Sequence, residues 1–207
     1  MTAAVYTTTK GGHDVTAAVA DSGARLGVEA TNNVPDGYAV EFVDYPFTAP
    51  NATVADHIAR VKREQPRLTV APDVEDGITL ADAISIGDEL HDHADAVILV
   101  PKECHPSDIP DRFRPAVATQ QFGSGTPWPV WEYDAPVHIL GGSPAEQLRI
   151  GRHLEVSSVD TSWFVTRCRF GMWDGVSVDD TPDTWDYRRR LRESLDNYAA
   201  VWSEVDA

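Results

Sequence analysis

The chain has 207 residues, two cysteines and a formal charge of −16, from 33 acidic against 17 basic residues of which only Lys10, Lys62 and Lys102 are lysines. This length predicts a single domain over residues 1–207. No stretch approaches the roughly 18 apolar residues of a membrane span, residues 1–10 lack the order of a secretory signal, and Cys104 and Cys168 lie too far apart for a disulfide framework or a zinc cluster, so a reducing cytoplasm is expected.

The predicted elements begin with a strand at 4–7 and a helix over 13–22 closed by Gly23, then strands at 25–30 and 39–44. An amphipathic helix follows over 53–65, with Val54, Ile58 and Val61 on one face, and then a strand at 68–71. A helix over 79–91 leads to the most apolar strand, 96–100. Residues 115–120 form a weak sixth strand, and 122–131 are too rich in Gly and Pro for a helix. A seventh strand at 137–140 precedes a helix to about 153, and an eighth strand covers 156–160. The last helix runs over about 182–205, with Thr181 as N-cap and Pro182 at its first position. Alternating strands and helices require parallel pairing with crossover helices. Eight strands favour a compact (β/α)8 barrel with a degenerate sixth unit, closed by 156–159 against 4–7; the alternative is an open parallel α/β sheet.

The acid excess and the scarcity of lysine suit a protein that works in concentrated salt, where self-repulsion is screened, as in a halophile or its virus. Because counterion release gains little in such salt, net charge does not decide for or against a nucleic-acid partner.

In such a barrel the C-terminal strand ends form the active face. Asp44, Asp73 and Asp160 end the third, fourth and eighth strands, and several carboxylates around one pocket can divide acid, base and nucleophile roles. The competing reading is that each caps the helix that follows. Gly141 and Gly142 open a helix where amides could hold a carbonyl, a phosphate or a purine edge, or simply turn the chain before Ser143 as N-cap. Lys102 follows strand five on the same face. Arg188, Arg189 and Arg192 concentrate positive charge on the last helix and could grip phosphates, or pair with acids beside them. Trp163, Trp173, Trp185 and Trp202 crowd the last quarter, where most should pack that helix on the barrel. The histidines form no ligand set, and no metal is expected.

The segment Val137-His138-Ile139-Leu140-Gly141-Gly142-Ser143-Pro144, followed by Val159-Asp160-Thr161 and Arg167, resembles two motifs of the tRNA-guanine transglycosylase superfamily and its 7-deazaguanine DNA transglycosylases. The resemblance implies that Asp160 is the nucleophile, Asp44 a second essential carboxylate and Asp73 a base-recognising one. It puts Phe47 or Tyr45 near the base-stacking aromatic, Lys102 near a substrate-binding glutamine, and Gly141, Gly142 and Arg167 among the substrate contacts. Tyr45-Pro46 replaces the family's double glycine, and the zinc-binding insertion is absent, which points to DNA rather than tRNA as partner. The implied reaction exchanges guanine for a 7-deazaguanine without a cofactor. Two other classes stay open: a barrel-derived binding or structural protein without catalysis, and another carboxylate-based glycosyl hydrolase. Exchange requires Asp44, Asp73 and Asp160 to converge.

Overall fold

In the computed structural model, which describes residues 3–47, 49, 51–75, 77–119, 125–179 and 185–204, eight parallel strands close into a barrel in chain order. They are β1 (Ala4–Thr9), β2 (Arg25–Glu29), β3 (Phe42–Asp44), β4 (Leu68–Val70), β5 (Ala96–Leu99), β6 (Arg114–Ala118), β7 (Val137–Leu140) and β8 (Val156–Asp160). Closure is made by β1 against β8, with Ala4 opposite Ser158 and Tyr6 opposite Asp160, so the open-sheet alternative is set aside.

Successive side chains of a strand point to opposite faces, and the barrel sorts them into two cores. Tyr6, Phe42, Leu68, Val70, Ile98 and Ala116 fill the interior. Val5, Val28, Val43, Val97 and Ile139 face outward, under the helices. The interior is therefore packed with side chains and is not a channel, and the buried polar residues His138 and Ser158 stand among its apolar ones, with His138 5.8 Å from the Phe42 ring.

The helices are α1 (His13–Ala20), α2 (Val54–Glu64), α3 (Leu80–His91), α4 (Pro144–Gly151), α5 (Trp163–Arg167) and α6 (Tyr187–Glu204); β9 (Met172–Trp173) and β10 (Val178–Asp179) form an antiparallel hairpin before α6. Thr53 and Thr79 cap α2 and α3 in reciprocal boxes with Asp56 and Asp82, and Ser143 caps α4. None of the three strand-end aspartates caps any of these helices, so the capping reading is set aside for them. On α2 the most buried residues are His57, Arg60 and Val61, so its inner face is rotated from the Val54–Ile58–Val61 stripe.

Two further expectations are corrected. Helix α1 ends at Ala20 with Asp21 as C-cap; Gly23 is instead the point where α6 crosses, since a Cβ there would stand 3.1 Å from that of Ala199, and its amide donates to Asp196. Helix α6 starts at Tyr187 and not near 182: Asp186 accepts the Arg189 and Arg190 amides, which makes it the cap. Thr181, Pro182 and Val205 lie outside the described residues, as do Gln120 and Phe122. The crossovers from β2 to β3 and from β5 to β6 lack an α-helix, as do the described residues between β6 and β7, where a 3₁₀ turn at Val130–Glu132 stands at the end of the 122–131 segment expected to be non-helical.

Helix α6 is seated by aromatics. Trp173 and Trp202 flank Tyr198 with ring centroids 5.5 and 6.2 Å away, and Phe164 adds a third contact at 5.1 Å. No helix among the described residues is long and apolar enough to cross a membrane.

Candidate active site

On β1, β2, β3 and β8 the inward positions at the C-terminal end are polar, whereas past Ile98 and Ala116 the inward Val100 and Ala118 keep the interior apolar. Thr8 lies two residues beyond Tyr6, Asp44 two beyond Phe42, and Asp160 two beyond Ser158. The same period brings in Glu29, two beyond Gly27 and opposite Asp44 in the β2–β3 register. Asp73 follows the end of β4, where Pro72 interrupts the alternation. The barrel thus brings Asp44, Asp73 and Asp160 to its C-terminal mouth and adds Glu29.

Their environments differ. Asp160 is buried, and both of its oxygens accept: Oδ1 from the Gly141 amide at 2.9 Å and from His138 at 3.2 Å, Oδ2 from the Thr8 hydroxyl at 3.4 Å. Asp44 has its pKa raised well above the usual carboxylate range by burial first, then by Asp160, Glu29 and Asp73 around it. Burial also pushes Asp73 up to about 6, outweighing the Lys102 ammonium paired with it. Burial pulls Lys102 down, but Asp73 and Glu75, the latter 2.5 Å from Nζ, push it up further, so the lysine keeps its charge. Asp44 Oδ1 and Asp73 Oδ1 are buried without a protein partner.

A line of hydrogen bonds runs down the barrel beneath Asp160. Arg114 Nη1 stands 3.0 Å from Ser158 Oγ, which is 2.9 Å from His138 Nδ1. A guanidinium only donates, so Ser158 accepts from it and offers its own proton to Nδ1. The His138 proton is thereby left on Nε2, directed at Asp160. Burial lowers the His138 pKa against the upward pull of Asp160, which keeps the imidazole neutral. Behind the strand tips, the Gln147 amide nitrogen donates to the carbonyls of Gly141 and Asp160, both at 2.6 Å, while its oxygen accepts from the Tyr198 hydroxyl. Gly142 has φ 93°, and a Cβ there would meet Thr119 Cγ2 at 2.7 Å, so the turn after β7 requires glycine on both counts.

Phe47 stands at the mouth with its ring 46% exposed, 4.9 Å from Tyr45 and 5.9 Å from Lys102 Nζ. Tyr45 packs edge-on against His57. The Gly141 amide, expected to face substrate, is taken by Asp160. Arg167 lies away from the carboxylates, over Trp163 at the rim, where it lines a cleft of about 500 Å³ that none of the four mouth carboxylates touches. Of the α6 arginines, Arg188 pairs with Asp21, Arg192 with Glu193, and Arg189 stacks on Trp185. Among the described residues no group of three or more His, Cys, Asp or Glu is arranged to hold a metal ion.

The model of the family described as "Family of unknown function (DUF6610)" matches residues 19–203. The chain belongs to that family. No curated protein matches it. The match takes in Glu29, Asp44, Asp73, His138 and Asp160, together with Gln147 and Tyr198 behind them, so every carboxylate at the mouth and its main supports fall within the family's extent.

Sequence reasoning missed Glu29, Thr8, Arg114, Gln147 and Tyr198, and treated His138 only as part of a motif. Glu29 had a signal: it ends the β2 run at the inward period set by Arg25 and Gly27. Thr8 carried the same period, two beyond Tyr6, whereas Arg114, Gln147 and Tyr198 had no signal, because they meet Ser158, Asp160 and Gln147 only across the fold.

Proposed function

We propose that this chain is a guanine base-exchange enzyme of the transglycosylase type, acting on guanine in a nucleic-acid strand, DNA rather than tRNA, in concentrated salt. The observation that carries the reading is the division of labour between two neighbouring carboxyl groups. Asp160 accepts three hydrogen bonds that aim and hold its oxygens, whereas Asp44 is biased by burial and by its neighbours toward keeping a proton. A nucleophile and a proton donor side by side are what displacement at a glycosidic carbon requires.

In this scheme an Asp160 oxygen forms a bond to the anomeric carbon of the target nucleotide. The bond from that carbon to guanine breaks, its electron pair leaves with the base, and Asp44 gives the base its proton. The incoming 7-deazaguanine returns a proton to the Asp44 carboxylate, attacks the same carbon and releases Asp160. Phe47 offers an exposed ring for stacking, and Asp73 with Lys102 offers an acceptor and a donor to the base edge. The buried oxygens of Asp44 and Asp73 that lack a protein partner favour a polar ligand at the mouth.

The reading is tested by incorporation of labelled guanine into DNA and tRNA in molar potassium chloride. Asp160→Asn should fold and lose exchange by roughly 1,000-fold or more. Asp44→Asn should also lose exchange, because neither the departing nor the incoming base then has its proton partner. Unchanged exchange in Asp160→Asn would sink the mechanism, and no exchange by the wild type on either nucleic acid would favour a non-catalytic, barrel-derived binding protein.

A further inference from the structure

The rim cleft has the makings of a second subsite. Its volume of about 500 Å³ lies within the roughly 300–1,000 Å³ of small-ligand sites. Trp163, Phe170 and Trp173 supply rings to its wall, and Val176 closes one side. Phe170 is 72% and Val176 87% exposed; they are two of the four most exposed large apolar side chains among the described residues, and a third, Phe47, stands at the mouth. Apolar rings left in water and gathered on one face mark a binding surface.

Charge narrows the occupant. In a chain of net charge −16, Arg167 brings an exposed guanidinium to the cleft, 5.9 Å over the Trp163 ring, and has no carboxylate partner among the described residues. Rings beside a free guanidinium suit a planar aromatic group that carries a phosphate. Position narrows it further. Trp163 follows Asp160 by three residues, so their backbones are at most about 10 Å apart. Ser143, which also lines the cleft, follows directly on the Gly141–Gly142 turn whose Gly141 amide holds Asp160. The two loops that grip the nucleophile therefore also form the cleft.

We infer that the cleft seats a nucleotide adjacent to the reacting guanosine in the same single strand, its base against Trp163 and Phe170 and its phosphate on Arg167. This rests on the reading of the mouth as a site for guanine in a nucleic-acid strand. The shared chemistry is base plus phosphate, whether the sugar is deoxyribose or ribose.

The test is a tryptophan-fluorescence titration of the full chain in molar potassium chloride with free guanine, and with single-stranded DNA and RNA trinucleotides that carry guanine at the centre. Trp163 and Trp173, two of the six tryptophans, report directly on the cleft. Phe170→Ala should weaken trinucleotide binding roughly ten-fold and leave guanine binding unchanged, because its ring is exposed and remote from the carboxylates. Arg167→Gln should flatten the salt dependence of trinucleotide affinity by about one counterion. The DNA and RNA arms show which strand is preferred. Equal trinucleotide binding by wild type and Phe170→Ala would overturn the inference while leaving base exchange intact, as would guanine binding without trinucleotide binding. Parallel weakening of guanine and trinucleotide would also overturn it. Absence of all binding together with absence of exchange would bring down the base-exchange reading itself.

Discussion

His138 Nε2 stands 3.2 Å from Asp160 Oδ1 inside the barrel, and the opposite ring nitrogen is 2.9 Å from Ser158 Oγ, so the imidazole is a strut between β7 and the tip of β8. His138→Leu removes the strut and leaves Ser158 and Asp160 each short of a buried partner. Misplacing a reacting group by about 1 Å costs on the order of 100-fold. The variant should therefore lower kcat for exchange by about 100-fold with KM little changed, and lower stability by about 1–3 kcal/mol. His138→Gln, which can still donate toward Asp160, should recover part of kcat. Steady-state kinetics beside urea unfolding would check this, and an unchanged kcat in His138→Leu would remove the positioning role.

Gln147 ties the backbone under the site to α6. Its buried amide uses both donors on Gly141 and Asp160 and its oxygen on Tyr198, so Gln147→Met, of similar shape, orphans two carbonyls and a phenol. Each buried group left unpaired costs about 1–3 kcal/mol, which predicts a loss of several kcal/mol in urea unfolding. Tyr198→Phe orphans only the Gln147 oxygen and should cost less than Gln147→Met. Equal effects of the two would contradict the network.

Asp73 should make stability fall as pH rises. Its pKa is raised from 3.8 to about 6 in the folded chain, so the native state holds a proton that the unfolded chain has released. That contribution is fully present below pH 3.8 and is lost as pH rises through about 6. The unfolding free energy of wild type minus that of Asp73→Asn should decrease by up to about 3 kcal/mol across this window and be flat above roughly pH 7. A difference that increases with pH would mean that Lys102 dominates Asp73.

The excess of 33 acidic over 17 basic residues should make the fold depend on salt. At 1 M salt the Debye length is about 3 Å, against about 30 Å at 0.01 M, so self-repulsion is almost fully screened. The melting temperature should rise steeply from dilute buffer to molar potassium chloride. Potassium chloride and sodium chloride of equal ionic strength should give similar curves if screening is the cause, and a flat response would remove the salt requirement.

The sequence by itself determined the order of the eight strands, the cap at Ser143 and the placement of Asp44 and Asp160 at strand ends, because period, turn chemistry and capping are carried by residues a few positions apart. It also determined the acidic, lysine-poor surface. Only the tertiary structure decided what surrounds the carboxylates. Thr8 reaches Asp160 across 152 residues, Tyr198 reaches Gln147 across 51, and Glu29 faces Asp44 across a crossover that no local pattern constrains. The start of α6 was decided in the same way, since Thr181-Pro182 offered a good helix opening in sequence while the chain takes Asp186 as its cap. The proton affinities of Asp44 and Asp73 follow from burial and from one another's charge, and both arise only when the closed barrel brings distant strand ends to one mouth.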